Sequence, residues 1–498
     1  MSKSYEARRL SRRQLLKSGL LSLTFPIGAS LFANSQTREE KGDGFRHQFK
    51  KKGERGNSGF GRSAPLNVSA NNPSIQLNKN RCERCGDCRY YCRNLATVEG
   101  YYSEVDDSLC IHCGQCTLFC PGNALTERYD YSRVAEKLSD SDQIVIASIA
   151  PAVRISIGEM FGALPGTDMQ GKLIQGLRQI GFDYVLDTSF SADLTVMEEA
   201  TELISRLNQE SVLPLMTSCC PAWTKFAELF YPEFLPNLST AKSPFMMQGA
   251  IIKTWFAQQN QIDPAKIINI AIAPCTAKKE EILRPGMNAA GLYHEQPSIR
   301  DIDLAITTRE IGQLFKSSNI KLMQLKNGTF DPLLGTASGA GMIFGNTGGV
   351  LEATVRTAYW LLNKEEPPES FLKWEEVRGL NPVRQATVDL KERQIKVAVV
   401  HGMNYARLFL ELIKRDHLKY DFIEVMACYG GCMGGGGQPR TIAKSIDALL
   451  KKRMDALYRR DEKETIRYSF KNPEVISLYD QFLGEPCAEL SQKLLHCH

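Results

Sequence analysis

Residues 82–121 read CERCGDCRYYCRNLATVEGYYSEVDDSLCIHCGQCTLFCP, a stretch in which eight cysteines form two runs of identical spacing. The first run is Cys82-x2-Cys85-x2-Cys88-x3-Cys92, and the second run is Cys110-x2-Cys113-x2-Cys116-x3-Cys120. Zinc knuckles and disulfides are the alternatives, but eight thiolates at these steps fit them poorly. The spacing matches that of 4Fe-4S ligands and predicts a module that transfers single electrons.

This spacing is the one found in bacterial ferredoxins, so we expect an α+β ferredoxin-like domain with two 4Fe-4S clusters at 76–130. Three closely spaced thiolates can surround one cube, whereas the fourth cysteine of each run points to the neighbouring cube. One cluster is then held by Cys82, Cys85, Cys88 and Cys120, and the other by Cys110, Cys113, Cys116 and Cys92.

The whole chain has 498 residues, of which 43% are hydrophobic and 23% charged. This composition excludes disordered, collagen-like and polytopic membrane proteins, and the length indicates about three domains. Residues 1–65 carry 14 Lys+Arg against 5 Asp+Glu, so the remainder carries 47 against 51, a net charge of −4. Nucleic acid is therefore not an expected partner.

The basic N-terminus has the pattern of an export signal. It contains Arg12 and Arg13, an apolar run from Gly19 to Ala33, and a small-residue site at 33–35. The apolar run is shorter than the roughly 20 residues that span a bilayer, and the pattern is that of a twin-arginine signal peptide at 1–35. Residues 36–75 are rich in polar and basic residues and predict a flexible linker.

Three further segments, 212–216, 267–273 and 420–427, predict short strands of an α/β body, and each is followed by cysteines. In open α/β sheets, ligands collect beyond the carboxyl ends of the strands. One of Cys219 and Cys220, together with Cys275, Cys428 and Cys432, supplies the four thiolates of a third cube.

Glycines surround the last two of these cysteines, at 430–431 and 434–437. They let the backbone approach a bound group closely and aim N–H groups at an anionic cluster. A phosphate loop is the alternative, but the chain has neither a P-loop lysine followed by Ser or Thr nor a GxGxxG motif.

Three motifs in this order, TSCCPAW at 217–223, PCTAKKE at 274–280 and EVMACYGGCMGGGGQP at 424–439, resemble the signature loops of the iron-only (FeFe) hydrogenases. The resemblance extends from about residue 76 to the C-terminus. It implies a two-lobed α/β catalytic domain at 140–440 with its site between the lobes. Residues 441–498 resemble the small subunit of periplasmic members, here fused to the catalytic chain.

The resemblance also implies a cofactor, the H-cluster, in which a 4Fe-4S cube is joined to a two-iron unit with CO, cyanide and a bridging dithiolate amine. By this resemblance Cys220, Cys275, Cys428 and Cys432 hold the cube, and Cys432 bridges to the two-iron unit. Cys219 is then the free thiol that relays protons, and Lys278 donates to a cyanide. Ser243 hydrogen-bonds the cluster's ligands, and Met426 is an apolar lid.

In the family, two glutamates and a serine continue the proton path, and these match Glu199, Glu202 and Ser239. Glu199 and Glu202 are three residues apart and share one helix face. Without the resemblance, acidic residues on a helix are more typical of a solvated face. Two positions depart from the usual pattern, because Ala273 replaces Met and Phe245 stands where Gln is common.

The C-terminal segment contains Cys487, Cys497, His496 and His498. Such residues are typical of a metal site, but in this family the segment wraps over the catalytic body. We therefore expect these side chains to be structural or exposed.

These patterns predict an oxidoreductase, an iron-only hydrogenase that oxidises H2 or reduces protons. An exported location favours H2 uptake in the periplasm, with a ferredoxin, a c-type cytochrome or a membrane quinone-reducing subunit as the electron partner. Export machinery and cluster maturases are further partners. An iron–sulfur assembly protein and a hydrogen sensor are the alternatives, and the presence of Cys219 argues against both.

Overall fold

The computed structural model describes residues 64–497 except for 99–108, 210, 392, 442 and 444. The predicted signal peptide at 1–35 lies outside the described residues. Within the described part of the chain, none of the helices has the length and apolar character needed to cross a bilayer.

The N-terminal cysteine runs lie in a small α+β unit. Strand β1 (Ile75–Leu77) pairs antiparallel with strand β2 (Leu125–Glu127), and short helices follow Gly86 and Gly114. Both glycines have a left-handed backbone, which lets the chain turn from the cluster loop into the helix.

The linker prediction for 36–75 is wrong at its C-terminal end. The Leu66 N–H donates to Cys88 Sγ at 3.4 Å, and the Leu66 side chain is buried. The guanidinium of Arg89 donates to the Ala64 and Pro65 carbonyls. Residues 64–75 therefore pack against the cluster loops, where the buried Leu66 covers the Cys88 sulfur. Residues 36–63 lie outside the described residues.

The first large sheet contains strands β3 (Ile144–Ile149), β4 (Tyr184–Asp187), β6 (Ile267–Ala273) and β7 (Leu304–Thr307). It is parallel and has the order β4-β3-β6-β7. The β3 and β6 sequences are almost continuously apolar, as expected when helices cover both faces of a parallel sheet. The strand predicted at 267–273 is confirmed.

The second large sheet contains strands β5 (Leu215–Met216), β8 (Val383–Asp389), β9 (Gln394–His401) and β10 (Phe422–Met426). It has the order β5-β10-β9-β8 and is parallel except for its edge strand β8. The strand predicted at 420–427 is found with shorter ends. The strand predicted at 212–216 begins only at Leu215, because Pro214 has no N–H to donate to a neighbour.

A helix spanning Thr188–Asn208, here called the long helix, follows β4 and is buried on most of its surface. Asp187 caps it by accepting a hydrogen bond from the Ser189 N–H at 2.8 Å. The other α-helices are Asp87–Tyr91, Gln115–Leu118, Tyr131–Leu138, Pro151–Ser156, Gln170–Gln179, Pro221–Phe230, Pro244–Ile251, Ala257–Gln259, Lys278–Glu281, Ala289–Tyr293, Thr308–Ser317, Gly339–Ile343, Gly349–Asn363, Met403–Asp416, Ile446–Lys463, Pro473–Leu478 and Glu489–Leu495.

The last three of these helices form a C-terminal segment that packs on the rest of the chain. Val475, Leu478 and Leu494 join the same apolar cluster as Phe190 and Leu194 of the long helix. Beyond the last helix, His496 forms an antiparallel bridge with Ala241. The segment therefore contributes to the core that surrounds the long helix.

Candidate functional site

The predicted site cysteines follow strands of both large sheets. Cys219 and Cys220 follow β5, Cys428 and Cys432 follow β10, and Cys275 follows β6 of the other sheet. The Ala427 N–H donates to Cys220 Sγ at 3.5 Å, and the Gly437 N–H donates to the Pro274 carbonyl at 2.8 Å. Loops distant in sequence, from both sheets, therefore meet here.

Burial next to one another shifts the pKa values of these thiols. Burial raises the pKa of Cys428, and the nearby thiols of Cys275, Cys113, Cys220 and Cys432 raise it further. Burial and then Cys220 also raise the pKa of Cys275, to about 11. Buried thiols of this kind become thiolates when a metal supplies positive charge, so this donor set fits an iron–sulfur cube.

Four cysteines of the ferredoxin-like unit, Cys82, Cys85, Cys88 and Cys120, line one pocket. The other four, here called the second cysteine group, are Cys92, Cys110, Cys113 and Cys116. Burial raises the pKa of Cys116, and Cys113, Cys92, Cys110 and the neighbouring Cys88 add to the increase. That each set of four holds one cube stays a prediction.

Direct contacts join the second cysteine group to the site between the sheets. The Gln115 side chain donates to Cys428 Sγ at 3.3 Å and to the Gly434 carbonyl at 2.9 Å. The Thr276 hydroxyl donates to the His112 carbonyl at 2.7 Å. A Cβ at Gly436 would lie 2.2 Å from the Cys113 carbonyl oxygen, so only glycine permits this approach.

Lys278 is buried beside the cysteines. Its Nζ donates to the Cys219 carbonyl at 3.3 Å and lies 2.8 Å from Glu281 Oε2. Burial by itself lowers the pKa of Lys278, but the Glu281 carboxylate outweighs this effect and raises it. The Phe245 ring centroid is 5.7 Å from Nζ. A lysine held charged at this position fits an anionic ligand.

Three more residues that the resemblance singles out, Ser243, Met426 and Ala273, are buried. The Ser243 hydroxyl is buried and has no hydrogen-bond partner among the described residues, so it is free to donate to a bound group. Met426 packs in an apolar cluster with Cys219 and Cys220. Ala273 is fully buried at the end of β6, where it leaves more space than the methionine usual at this position.

The predicted proton-path residues are buried near one another. Glu199 is fully buried, and burial followed by the nearby Glu202 raises the pKa of Glu199 to about 8. The Ser239 hydroxyl donates to Glu202 Oε2 at 2.8 Å, and Arg206 donates to Glu202 Oε1 at 2.6 Å. Burial and then Glu199 raise the pKa of the Cys219 thiol. Neither glutamate lies on a solvated face, in contrast to the usual location of acidic residues on a helix.

Glu424, two residues before Met426, is a buried carboxyl that the sequence analysis did not single out. It accepts hydrogen bonds from the Gly348 and Leu351 N–H groups at 2.6 and 2.9 Å. Burial raises the pKa of Glu424 to about 7. A charged residue inside an otherwise apolar strand is the signal that could have identified it.

The C-terminal side chains fall into two environments. Cys497 is exposed, whereas Cys487 and the buried His496 lie beside Glu198 of the long helix. His498 lies outside the described residues. Glu198 was not singled out from the sequence, because nothing local distinguishes it from its acidic neighbours.

Comparisons with known proteins agree with this geometry. The family model "Iron only hydrogenase large subunit, C-terminal domain" matches residues 143–436, "Iron hydrogenase small subunit" matches 447–498, and "4Fe-4S binding domain" matches 103–126.

Individual proteins are similar over most of the chain. Iron hydrogenase 1 of Clostridium pasteurianum is 39% identical over 86% of this chain and 76% of its own length. The periplasmic Fe hydrogenase large subunit of Nitratidesulfovibrio vulgaris is 41% identical over 73% of this chain and 86% of its own. The structure of an apo FeFe-hydrogenase from Chlamydomonas reinhardtii has a TM-score of 0.65 and 37% identity, and covers 74% of this chain and 98% of that one.

Proposed function

The chain belongs to the iron-only hydrogenases, and from this premise we propose that it oxidises H2 in the periplasm and passes the electrons through its ferredoxin-like domain to a redox partner. As a member of the family it is an oxidoreductase with H2 and protons as substrates, and it binds 4Fe-4S clusters and an H-cluster. The direction, the location, the partner and the residue roles are the proposal.

The observation that carries the proposal is the meeting of four thiols from both sheets beside a fifth. Cys220, Cys275, Cys428 and Cys432 would hold the active-site cube, and Cys432 would also bind the two-iron unit. Lys278 and the unpaired hydroxyl of Ser243 would donate to anionic ligands of that unit, and Met426 would exclude water. When bound, the H-cluster supplies the exchange of two electrons with H2.

The side chains of this protein move the protons. Cys219 takes a proton at its sulfur and passes it to Glu199, whose raised pKa lets its carboxyl hold a proton near neutral pH. The Ser239 hydroxyl donates to Glu202 and lies beside Glu199, so it is the link between the two carboxyls, and Arg206 lies at the outer end of this series.

Electrons follow a separate route through the ferredoxin-like domain. Cys110, Cys113, Cys116 and Cys92 would hold the cube next to the active site, since Gln115 and Gly436 connect their loop to Cys428 and Gly434. Cys82, Cys85, Cys88 and Cys120 would hold the outer cube. A ferredoxin, a c-type cytochrome or a membrane quinone-reducing subunit receives the electrons there.

The domain organisation follows from the same premise. A twin-arginine signal (1–35) and a basic linker (36–63) come first, and residues 64–75 pack against the ferredoxin-like domain at 76–130. The catalytic domain (140–440) has two lobes, each built on one large sheet, with the site between them, and the small-subunit-like segment is 441–498. Maturases build the H-cluster before folded export, and the periplasmic relative supports this location.

An infrared spectrum of the anaerobically matured holoenzyme tests the proposal. We expect CO and cyanide bands under N2 that shift under H2, because the two-iron unit reacts with H2. The Cys432→Ala variant is the matched control and should lack the bands while its ferredoxin-type clusters remain visible by electron paramagnetic resonance. Absence of bands in wild-type protein that contains its cubes would overturn the proposal.

A further inference from the structure

Glu198 of the long helix is bound from several sides by the C-terminal segment. Its Oε1 accepts hydrogen bonds from the Tyr479 hydroxyl at 2.6 Å and the Ser491 hydroxyl at 2.5 Å. Its Oε2 accepts hydrogen bonds from the Cys487 N–H at 2.6 Å and from His496 Nε2 at 3.0 Å. Cys487 has a φ of 59°, a left-handed conformation that costs a non-glycine residue free energy. We call these five residues the Glu198 knot.

His496 also contacts the loop that carries the proposed proton path. Its Nδ1 lies 2.8 Å from Thr240 Oγ1, and the Thr240 carbonyl accepts a hydrogen bond from the Cys497 N–H at 2.8 Å. The Thr240 N–H in turn donates to Glu202 Oε2 at 3.1 Å, beside the Ser239 hydroxyl. His496 thus lies between the helix and the loop.

These contacts close a ring. Glu198 and Glu202 are four residues apart and therefore neighbours on one face of the long helix. Starting from Glu198, the ring runs through His496 to Thr240 and returns to the helix at Glu202. The ring fixes the distance between the helix and residues 239–240. If His496 is removed, the partner of the Thr240 hydroxyl and one donor to Glu198 are lost together.

We propose that His496 is a positioning residue for proton transfer: by binding Glu198 and Thr240 together, it holds Ser239 and Glu202 in register with the long helix. This role rests on the proton path in the proposed function. The small-subunit-like segment then contributes to turnover and does more than cover the catalytic body.

A metal ion is the other occupant to consider for the knot. Ligand atoms of Glu198, Cys487 and His496 lie within 4.8 Å of one another, and zinc uses such donors. However, each Glu198 oxygen already accepts two hydrogen bonds, and both His496 ring nitrogens have partners. The knot is therefore satisfied without an ion.

Two variants test the positioning role, each in the full-length matured enzyme. Thr240→Val removes the hydroxyl that contacts His496 but keeps the N–H that donates to Glu202. His496→Phe keeps a ring of similar size and removes both nitrogens. The matched control is Ser469→Ala, which removes a 2.7 Å hydrogen bond from the C-terminal segment to Asp193, five residues earlier on the same helix.

We expect kcat for dye-linked H2 oxidation to fall about tenfold in Thr240→Val and further in His496→Phe, with an unchanged KM for H2. The intensity of the infrared bands, which reports how much H-cluster is assembled, should be unchanged. In protein without the two-iron unit, backbone hydrogen exchange at 239–241 should accelerate about tenfold, since the ring no longer holds this loop. Ser469→Ala should leave kcat, its pH profile and this exchange at wild-type values.

Three results would overturn the positioning role. The first is wild-type kcat and pH profile in both ring variants, and the second is an equal loss of kcat in Ser469→Ala. The third is one zinc per chain that the ring variants lose, because the knot would then be a metal site. If instead Glu199→Gln and Glu202→Gln have wild-type kcat, the proposed proton path is wrong. This outcome distinguishes failure of the proposed function from failure of the positioning role.

Discussion

The two cysteine-rich regions of this protein are built in different ways. In the ferredoxin-like unit, eight thiols come from residues 82–120 and belong to one small fold. In the proposed active site, four thiols come from loops after strands of two sheets, and the first and last of the proposed ligands in sequence are Cys220 and Cys432. The first region depends on local spacing, whereas the second depends on the assembly of the whole catalytic body. Damage to the two regions should therefore have different consequences.

The largest effect is expected for exchange of ligands in each region. Cys432→Ala should abolish H2 conversion but leave the ferredoxin-type clusters intact, because those ligands lie in a separate unit. Cys82→Ala should remove the outer cluster and leave the CO and cyanide bands. Infrared and electron paramagnetic resonance spectra of both variants check this. Loss of all clusters in either variant would show that the two regions assemble as one.

A second large effect is expected for Glu199→Gln, which should lower kcat about 100-fold because it removes a carboxyl from the proton path.

The pH dependence of the free energy of unfolding should also change in Glu199→Gln. The pKa of Glu199 is raised from 4.5 to about 8, so the folded state retains a proton that the unfolded state has lost. The free energy of unfolding of the wild type should therefore fall as the pH rises from 4.5 to about 8, and it should fall less in Glu199→Gln.

The midpoint of thermal unfolding, measured between pH 5 and 9, checks this second prediction. Glu233→Gln is a suitable control, because Glu233 is exposed and pairs with Lys414 at the surface. A parallel pH dependence in wild type and Glu199→Gln would contradict the prediction.

An intermediate effect is expected at the junction of the two regions. Gly436→Ala places a Cβ 2.2 Å from the Cys113 carbonyl, and relief of this clash should cost about 2 kcal/mol and separate the cluster loops. Electron transfer from the active site to the ferredoxin-type clusters should slow. Stopped-flow reduction of these clusters by H2 measures the rate.

Gly379→Ala is the matched control for this substitution. Gly379 has a φ of +104°, and a Cβ added there would meet no atom within 4 Å, so the variant carries backbone strain without a clash. If Gly379→Ala slows electron transfer equally, general destabilisation rather than the junction explains the result.

The smallest effect is expected for Phe245→Gln. The substitution removes the ring that lies 5.7 Å from Lys278 Nζ, a contact worth about 1 kcal/mol, so turnover should change by less than about tenfold. The cyanide bands should shift, since the lysine gains a polar neighbour. Phe344→Gln is the control, because Phe344 is an aromatic residue of the apolar cluster that contains Met426. Unchanged cyanide bands in Phe245→Gln would contradict an influence of the ring on Lys278.

Much of the fold was predictable where local patterns suffice. The β6 strand, the ferredoxin spacing and the glycines near Cys432 are short-range features, and the structure contains them. Two predictions were wrong in part. The strand predicted at 212–216 starts only at Leu215, because Pro214 has no N–H to donate. The linker predicted at 36–75 is packed at its C-terminal end, because Leu66 covers Cys88, a contact between residues distant in sequence.

The residue types, the spacing of the ferredoxin-type cysteines and the position of further cysteines after strands can all be read from the sequence, because three thiols a few residues apart can surround one cube. The packing of the chain is needed to bring Cys275 of one sheet to Cys428 of the other, to bury Glu199, and to join Glu198 to Thr240 through His496. Burial and pairing are properties of the packed chain, since the groups that exclude water or donate hydrogen bonds come from distant segments.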